Sequence, residues 1–569
     1  MRYHALASDF DGTLAEHGKV DAKTLAALQR ARDAGRKLVL VTGREWPDLR
    51  ATFAEYKIFH QIVAENGALL VDPETGEETV IATPPPESFA VRLRERGVQP
   101  LSVGRVIVAT WHPHETEVLE AIRDLGLELQ VIFNKGAVMV LPSGVNKASG
   151  LRQALERLRI SRHNCVAVGD AENDHALLEQ SELGVAVANS VPVLKERADW
   201  VTHAARGDGV GELIEEWLSS DLYARPPKPG RHMLTLGKRS DGSDYSIPAH
   251  GSKLLVCGSS GSGKSTFTGA LLEELTDEEY QYCVIDPEGD FQTSPGHVVR
   301  GDAEHAPDPA EAVKALSVTP LNIVLNLLGV PLEQRPAFAR VLLEKIKAEQ
   351  EQSGRPHWMV IDEAHHMLGT DADVSPDDIY DVTSSLLLVT VHPERLHDKE
   401  LGLIDTFVVV GASPRETLQA IARAHHVTIP SFGETTLTAG TALVWSRRNP
   451  NELITLSSVE PRQERRRHRR KYAVGELGPD KSFYFRGPKG ALNLRAHNLV
   501  LFMQVADGVD PDTWSYHLQR SDYSRWLREA VKDHDLADEV SAIERANASP
   551  SESRARVRRA IDRRYTLPA

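Results

Sequence analysis

The sequence predicts an α/β protein that is built from several domains. Two observations indicate this fold class. Short apolar runs rich in Val, Ile, Leu and Ala alternate with helix-like segments, a pattern typical of a parallel sheet covered by helices. A chain of 569 residues is also too long for one hydrophobic core, so about three or four domains are expected.

The composition limits the possible locations and partners. No apolar run approaches the roughly 20 residues of a membrane span, and the chain enters a strand-like run at once, which leaves no room for a signal peptide. The three cysteines form neither a disulfide framework nor a zinc spacing. These features predict a cytoplasmic protein with no membrane partner. The net charge of -15 disfavours a protein that coats nucleic acid.

Residues 1–222 are predicted to form the first α/β domain. The alternation of strand-like and helix-like segments changes between about 81 and 141. There, the apolar runs Arg105–Ala109 and Gln130–Phe133 flank a helix-like stretch that begins at Glu115. We interpret this segment as a small inserted α+β domain.

Polar residues with the chemistry of phosphoryl transfer follow the apolar runs of this domain. Asp9 and Asp11 end the first run, where Asp9 is a candidate nucleophile and Asp11 a candidate general acid and base. Thr42 follows another run and offers a hydroxyl to a phosphoryl group. Lys147 offers a positive charge to the nucleophile and the phosphate. Residues at the carboxyl ends of parallel strands gather at one edge of a sheet, so a single site is predicted.

Two further carboxylates, Asp170 and Asp174, follow a later apolar run, and such an oxygen-rich set suits Mg²⁺. The whole set resembles the haloacid dehalogenase superfamily of phosphatases. The resemblance implies that Asp9 forms a phosphoaspartate and that Asp11 is the general acid and base. It also implies that Mg²⁺ is held by Asp9, the Asp11 carbonyl and Asp170, while Asp174 orients Lys147 or supports the metal shell.

The resemblance covers about residues 1–220, and the position of the insert is similar to that of the α/β cap in the Cof-type branch. It implies that Arg44, Asn66 and Asn173 contact the substrate or its phosphate. A cap that closes over the site favours a small phosphorylated metabolite as the substrate. The sequence does not identify that metabolite.

A proline-rich linker over residues 223–231 is predicted to lead into a second α/β domain over residues 232–460. Here Gly258-x-x-x-x-Gly263-Lys264-Ser265 follows the apolar run Lys253–Cys257 and precedes the helix-like stretch Thr266–Leu275. A strand before the motif and a helix after it are the context of a P-loop, which binds the phosphates of ATP.

In a P-loop, backbone N–H groups surround the phosphates, while Lys264 reaches the β- and γ-phosphates and Ser265 binds Mg²⁺. The predicted nucleotide-binding residues are Gly258, Ser259, Ser260, Gly261, Ser262, Gly263, Lys264, Ser265 and Thr266.

A second nucleotide motif follows the apolar run Trp358–Ile361. Asp362 is predicted to hold the Mg²⁺ shell, and Glu363 to polarise the water that attacks the γ-phosphate. A kinase must exclude water, so this pair favours an ATPase. With Val284–Asp290 and Leu386–Thr390, the motifs resemble the HerA–FtsK superfamily of RecA-like ATPases.

Members of that superfamily often form hexameric rings in which an arginine reaches into the neighbouring site. Arg415, Arg447 and the cluster near Arg465 are the candidates here, although a solvated helix end is the favoured interpretation of each. A homo-oligomer, such as a hexamer, is therefore a hypothesis. Thr390 or His392 stands where the superfamily has a polar sensor, often glutamine.

Residues 461–569 are predicted to form a basic stretch followed by a helical accessory domain. Seven of the ten residues from Arg462 to Lys471 are Arg or Lys. Such a stretch can neutralise nucleic-acid phosphates, but no stacking aromatics are interleaved with it. Nucleic acid is therefore a possible partner that is not favoured.

The combined interpretation is a bifunctional hydrolase, with a Mg²⁺-dependent phosphatase and an ATPase that regulates it or drives assembly. One alternative is a kinase and phosphatase pair acting on one metabolite. Another is a nucleic-acid translocase that carries an end-processing phosphatase.

Overall fold

The protein is described by a computed structural model. It describes residues 1–565 apart from 135, 260, 292–295, 319, 369–384, 412, 425–436, 439, 459–481, 489, 491, 532 and 547. Contacts divide the chain into two compact units. The first comprises 1–289 and 296–462, and the second comprises 290–295 and 463–569.

The first sheet of the larger unit is built by the N-terminal region. Its strands are β1 (Ala5–Ser8), β2 (Lys37–Val41), β3 (Gln61–Ala64), β4 (Leu69–Val71), β5 (Glu78–Val80), β10 (Cys165–Gly169), β11 (Leu183–Ala186) and β12 (Trp200–Val201). Their spatial order is β12-β11-β10-β1-β2-β3-β4-β5. The strands from β12 to β3 are parallel, and β4 and β5 are antiparallel to their neighbours.

Helices cover both faces of this sheet and form one apolar cluster with it on each side, which explains why its central strands are continuous apolar runs. Asp21 caps the first helix by accepting hydrogen bonds from the Lys23 and Thr24 N–H groups at 2.8 Å. The helices are α1 (Ala22–Asp33), α2 (Trp46–Thr52), α5 (Lys147–Leu158), α6 (His175–Gln180), α7 (Pro192–Arg197) and α8 (Arg206–Ser220).

A separate antiparallel sheet lies in the insert, which we call the cap. Its elements are α3 (Glu87–Glu95), β6 (Ser102–Val103), β7 (Val108–Trp111), α4 (Glu115–Asp124), β8 (Leu129–Asn134) and β9 (Ala137–Pro142), with strand order β6-β7-β9-β8. Alternate residues of β9 point to opposite faces. Val138 packs in a cluster with residues of α3 and α4, while Met139 packs with Ala68 of the core. The strand expected from Arg105 begins only at Val108, because the residues before it form a turn.

The second sheet of the larger unit carries the glycine-rich motif. Its strands are β13 (Met233–Lys238), β14 (Asp244–Pro248), β15 (Lys253–Cys257), β16 (Tyr282–Asp286), β17 (His297–Arg300), β18 (Asn322–Asn326), β19 (Trp358–Ile361), β20 (Ser385–Thr390), β21 (Thr406–Val410), β22 (Thr441–Ser446) and β23 (Asn449–Ser458). The order is β14-β13-β23-β22-β21-β15-β20-β19-β16-β18-β17.

Strands β15 to β21 form the parallel core of this sheet, and β15 lies between β20 and β21. Antiparallel strands extend the sheet beyond β21. The helices are α9 (Lys264–Asp277), α10 (Pro309–Val318), α11 (Arg335–Ser353), α12 (Asp398–Leu403) and α13 (Pro414–Ala424).

The two sheets of the larger unit meet at the amino ends of their strands. His163 and Asn164 directly precede β10, while Tyr280 and His357 lie just before β16 and β19. Asn164 Oδ1 lies 3.1 Å from His357 Nε2, and the His163 ring stacks on Tyr280 with centroids 3.6 Å apart. We call this contact the junction.

A buried carboxylate, Glu182, is the centre of the junction. His163 Nδ1 lies 2.7 Å from Glu182 Oε2, the Tyr280 hydroxyl donates to the same oxygen at 3.0 Å, and Arg2 pairs with Oε1. Despite the cost of burial, His163, Arg2 and His232 hold the pKa of Glu182 well below its usual range. The junction is therefore a charged contact between the two sheets that is built around a fully buried carboxylate.

The second unit is mostly helical, as expected. Its elements are β24 (Phe483–Phe485), β25 (Leu494–Ala496), α14 (Leu499–Gly508), α15 (Pro511–Gln519), α16 (Asp522–Trp526), a π-helical turn (Leu527–Val531), α17 (His534–Arg545) and α18 (Pro550–Tyr565). Stacked aromatic rings fill its core, with Trp514 and Tyr523 centroids 4.4 Å apart. The basic stretch Arg462–Lys471 lies outside the described residues.

The predicted fold class is confirmed, with a Rossmann-like core, an α+β cap, a P-loop α/β region and a mostly helical C-terminal unit. In the part of the chain that the structure describes, no helix is long and apolar enough to cross a bilayer.

Candidate active sites

Three buried carboxylates meet at the carboxyl edge of the first sheet. Asp9 follows β1, and Asp170 follows β10. The two strands pair in parallel with Ser8 beside Val168, so their ends coincide. Asp174 lies in the turn after β10, where its Oδ2 accepts the N–H groups of Asp170 and Ala171 at 2.9 Å. Ligand oxygens of Asp9, Asp170 and Asp174 all lie within 4.8 Å of one another.

Lys147 holds two of these carboxylates together. It is the first residue of α5, which begins there because Asn146 and Ser149 form a reciprocal capping box. Its Nζ donates to Asp9 Oδ1 at 2.5 Å and to Asp174 Oδ1 at 2.6 Å. Burial opposes the charge of Lys147, but Asp174 and Asp9 outweigh it and raise the lysine pKa.

One ammonium group does not balance three carboxylates. Burial, followed by repulsion from Asp174, raises the pKa of Asp9 to about 7, although Lys147 lowers it. The net negative charge and the convergent oxygens are the donor set that a hard divalent cation such as Mg²⁺ requires. The residues present therefore fit the predicted metal.

Asp11 lies outside this carboxylate cluster and is held by Arg44. The guanidinium donates from Nε to Asp11 Oδ2 at 2.6 Å and from Nη2 to Oδ1 at 2.7 Å. A third bond joins Arg44 Nη1 to Asp48 Oδ2 at 2.7 Å. These hydrogen bonds and charges raise the pKa of Arg44. Arg44 was predicted to contact substrate, and the structure places it on Asp11.

Thr42 and the two predicted amide contacts complete this edge. The Thr42 hydroxyl accepts the Arg44 N–H at 3.1 Å, and the Thr42 carbonyl accepts the Asn66 N–H at 2.9 Å. Asn173 Nδ2 donates to Asn66 Oδ1 at 3.0 Å. The structure therefore brings Thr42, Arg44, Asn66 and Asn173 to one place.

Sequence reasoning missed two residues beside this edge. Asn189 donates to the Gly12 carbonyl at 2.8 Å, and Glu65 accepts backbone N–H groups from the cap. Glu65 directly precedes the predicted contact Asn66, but it was not itself predicted to have a role. The partners of Asn189 and Glu65 are far away in the chain, so no pattern in the sequence identifies them.

The glycine loop of the second sheet has the backbone that a P-loop needs. Gly258, Gly261 and Gly263 have positive φ angles of 153°, 75° and 106°. A Cβ atom at Gly258 would lie 2.2 Å from the Val410 carbonyl oxygen, so only glycine fits. Ser260 lies outside the described residues. Lys264 begins α9, and its Nζ donates to the carbonyls of Gly258 at 3.0 Å and Ser259 at 3.2 Å.

Asp362 and Glu363 lie at the same edge of the sheet as this loop. Strand β20 separates β19 from β15 and pairs in parallel with both. Asp362 is buried, and its Oδ1 accepts the Glu363 N–H at 2.9 Å. Glu363 adopts φ 44°, an uncommon angle for a non-glycine residue that often marks functional sites.

Histidines link Glu363 to the predicted sensor strand. His365 Nδ1 lies 3.5 Å from Glu363 Oε2 and 3.0 Å from the Thr390 hydroxyl. The rings of His365 and His392 are 5.0 Å apart. Burial, followed by the neighbouring histidines, lowers the pKa of His365 to about 3. The sensor candidates therefore adjoin Glu363 through a neutral His365.

The arginines predicted to reach a neighbouring subunit differ in their surroundings. Arg447 donates to the Leu401 carbonyl at 3.0 Å and lies over the Phe407 ring, so it binds its own chain. Arg415 is exposed in the first turn of α13. Arg465 lies outside the described residues.

Comparison of this sequence with known proteins identifies the family to which the chain belongs. The phosphoglycolate phosphatase of Methanothermobacter thermautotrophicus is 31% identical over 224 residues, which cover 38% of this chain and 98% of that relative. The chain belongs to the haloacid dehalogenase-like hydrolases. The profile of that family matches residues 6–92 and 101–214. The phosphoglycolate phosphatase of Pyrobaculum aerophilum is 31% identical over 231 residues, covering 39% of this chain and all of the relative.

A second profile, that of the central domain of the helicase HerA, matches residues 248–395. A solved haloacid dehalogenase-like hydrolase from Bacteroides thetaiotaomicron shares 20% identity, with a TM-score of 0.34 over 38% of this chain and 99% of that chain. Both predicted resemblances are confirmed. The protein is a phosphatase of the haloacid dehalogenase type, and a region similar to the central domain of HerA lies in the same chain.

Proposed function

We propose that this hydrolase cleaves a small phosphomonoester through a phosphoaspartate on Asp9. The observation that carries the proposal is the position of Lys147 between Asp9 and Asp174, beside Asp170. A lysine that contacts both carboxylates brings positive charge to the place where a phosphate approaches a negatively charged nucleophile.

The reaction then has two steps. An Asp9 carboxylate oxygen attacks phosphorus, the bond from phosphorus to the ester oxygen breaks, and Asp11 gives its proton to the leaving alcohol. In the second step Asp11 takes a proton from water, which attacks phosphorus and releases phosphate and Asp9. In this structure both Asp11 oxygens accept hydrogen bonds from Arg44, so one of these bonds must break when Asp11 carries the proton that it gives to the leaving alcohol.

Mg²⁺ would be held by Asp9, the Asp11 carbonyl and Asp170, and when bound it would neutralise charge on the nucleophile and phosphate. Thr42 would receive the phosphoryl oxygens, and Asn66 and Asn173 would contact the substrate. Phosphoglycolate is the first substrate to test, because related enzymes bear that name.

The second site would bind and hydrolyse Mg·ATP. The nine predicted P-loop residues, Gly258 to Thr266, would hold the phosphates. Ser265 and Asp362 would hold its Mg²⁺, and Glu363 would polarise the attacking water. The helix that begins at Lys264 and the glycines with positive φ support the first role. Self-assembly through the ATPase region, with Arg415 reaching a neighbour, is part of the proposal.

The junction bears on the alternative of a kinase and phosphatase that exchange one metabolite. Both phosphate sites lie at the carboxyl edges of their sheets, whereas the sheets meet at their amino edges. Strands of about five residues span about 17 Å on each side, which separates the sites by on the order of 35 Å. That arrangement favours two separate substrates over direct transfer.

A phosphatase screen with and without ATP tests the proposal. Sugar phosphates, phosphoglycolate and nucleotides are offered to the whole chain with Mg²⁺, and released phosphate is measured. We expect hydrolysis of at least one compound and ATP turnover without any acceptor. Transfer of labelled γ-phosphate to an acceptor would instead support a kinase, and failure to hydrolyse any compound would contradict the phosphatase proposal.

Assembly and nucleic-acid dependence have their own test. We expect the ATPase rate per subunit to fall on dilution, together with the mass of the complex. A constant rate from a monomer would exclude a shared site, and strong stimulation by DNA would favour the translocase alternative.

A further inference from the structure

A fully buried carboxylate joins the cap to the core beside the phosphatase site. Glu65 follows β3, is 0% exposed and adopts φ 50°. Its own N–H donates to the Arg44 carbonyl at 2.9 Å, so its backbone is fixed next to the residue that holds Asp11. The Glu65 side chain extends from the carboxyl edge of the first sheet to the backbone of the cap.

Three successive N–H groups of the cap donate to this carboxylate. The Arg105 N–H donates to Oε1 at 2.8 Å, and those of Val106 and Ile107 donate to Oε2 at 2.7 Å and 2.9 Å. These residues form the turn between β6 and β7. Consecutive N–H groups that converge on one anion are a strong, directional arrangement, because each hydrogen bond is assisted by charge.

The space around the carboxylate is shaped to hold it. A Cβ atom at Gly104 would lie 2.7 Å from Glu65 Oε1, so a larger residue would displace the carboxylate or the turn. Val106 and Ile107 are each 1% exposed and pack with Ala68 of the core. The turn is therefore a close-packed apolar contact with one charged anchor at its centre.

The anchored turn leads directly to the part of the cap that covers the site. Ala109 of β7 pairs with Met139 of β9. A methyl group built on Gly43 would lie 3.7 Å from the Met139 sulfur, so Met139 rests against the segment between Thr42 and Arg44. A shift of the turn would thus move Met139 over the site.

We infer that Glu65 is the positioning residue that sets where the cap sheet lies over the phosphatase site, and thereby how tightly the leaving group is held. The inference rests on the proposed phosphatase function. Glu65 touches neither the nucleophile nor Lys147, so its effect is on the fit of the substrate. Cap contacts to a leaving group act equally on the ground state and the transition state, so their loss raises KM more than it lowers kcat.

The variant Glu65→Gln tests this in the full-length protein. The NH₂ group of the glutamine must face at least one N–H group of the cap. Two buried hydrogen-bond donors then face each other without an acceptor. We expect KM for the best phosphomonoester of the screen to rise about tenfold while kcat changes less than about threefold. Amide hydrogen exchange of Arg105, Val106 and Ile107 should become at least about tenfold faster.

Glu78→Gln is the matched control. Glu78 Oε2 accepts from Arg105 Nε at 2.9 Å, so this pair also ties the same turn to the core, but at the surface. Losing it should change KM and exchange by less than about twofold. Gly104→Ala, which crowds the carboxylate and leaves it charged, should act in the direction of Glu65→Gln and replaces it as the test if that variant does not fold.

Unchanged exchange and unchanged KM in Glu65→Gln would overturn the inference, as would an equal response to Glu78→Gln. An unchanged KM with faster exchange would also overturn it, because the cap would then be loosened without consequence for the substrate. If the wild-type protein hydrolyses no phosphomonoester, the proposed function fails, while amide exchange still reports whether Glu65 holds the turn.

Discussion

His163 and Tyr280 stack across the junction, with ring centroids 3.6 Å apart and an angle of 19° between the rings. His163 precedes a strand of the phosphatase sheet, and Tyr280 precedes a strand of the ATPase sheet. His163 Nε2 also lies 2.7 Å from the Glu278 carbonyl oxygen. The two sheets are therefore joined by specific buried contacts at the edges opposite to the candidate sites.

The first prediction concerns the Tyr280 hydroxyl, which donates to Glu182 Oε2 at 3.0 Å. Tyr280→Phe should lower the stability of the larger unit by about 1–3 kcal/mol, because a buried carboxylate loses a donor. Urea unfolding followed by tryptophan fluorescence measures the change. Tyr516→Phe in the second unit is the control, and an equal midpoint for both variants would contradict the assigned bond.

The second prediction is a loss of stability in weak acid. Burial lowers the pKa of His4 and of His232 to about 4, below the ordinary 6.5. A depressed pKa means that the unfolded chain binds protons first, so the stabilisation is complete above about pH 6.5 and is lost as the pH falls to about 4. Each histidine should contribute about 3 kcal/mol to that loss.

Chemical unfolding between pH 7 and pH 4.5 tests this sign. The double variant His4→Gln, His232→Gln should have a flatter pH dependence than the wild-type protein. Stability that rises on acidification would contradict the buried, neutral state of these rings.

The third prediction concerns the nucleophile. Asp9→Asn should reduce phosphatase turnover by at least about 10³-fold, because an amide oxygen is a poor nucleophile and cannot form the acyl phosphate. ATP turnover by the same variant should be unchanged, which controls for folding. Turnover close to the wild-type value would rule out a phosphoaspartate on Asp9.

The fourth prediction is a requirement for a divalent cation. EDTA should abolish phosphatase activity, and Mg²⁺ should restore it, because the one charge of Lys147 does not balance three clustered carboxylates. Asp170→Asn should raise the Mg²⁺ concentration needed for half-maximal activity by about tenfold or more. Asp33, exposed at the end of α1 and replaced by Asn, provides the comparison, and full activity in EDTA would disprove the metal requirement.

The fifth prediction separates ATP binding from hydrolysis. Glu363→Gln should lower ATP hydrolysis by about 10²-fold or more and preserve binding, because only the polarised water is lost. Lys264→Ala should lose binding as well. Fluorescent nucleotide titration and phosphate release distinguish the two results, and phosphatase activity serves as the control. Normal hydrolysis by Glu363→Gln would mean that another residue positions the water.

Much of the fold was predictable, because its motifs are contiguous and the periodicity of the flanking segments is clear. The strand Lys253–Cys257 and the P-loop that follows it were located from the sequence, and the observed helix begins at Lys264. The start of the cap strand was wrong by three residues, because Glu65 binds the N–H groups of Arg105 to Ile107 and turns the chain there. The β-forming composition of residues 105–109 gives no information about a hydrogen bond to a carboxylate that is distant in the sequence.

The sequence by itself determined which carboxylates, hydroxyls and glycines follow the strands of the two candidate sites, because these residues lie in contiguous motifs. Tertiary structure alone decided that Lys147 bridges Asp9 and Asp174, that Glu65 anchors the cap, and that His163 meets Tyr280. Those partners lie tens to hundreds of residues apart, and packing of the sheets selects them. Packing also determines that the two sites face away from each other. Buried contacts, and no sequence motif, decide which edges of the two sheets meet.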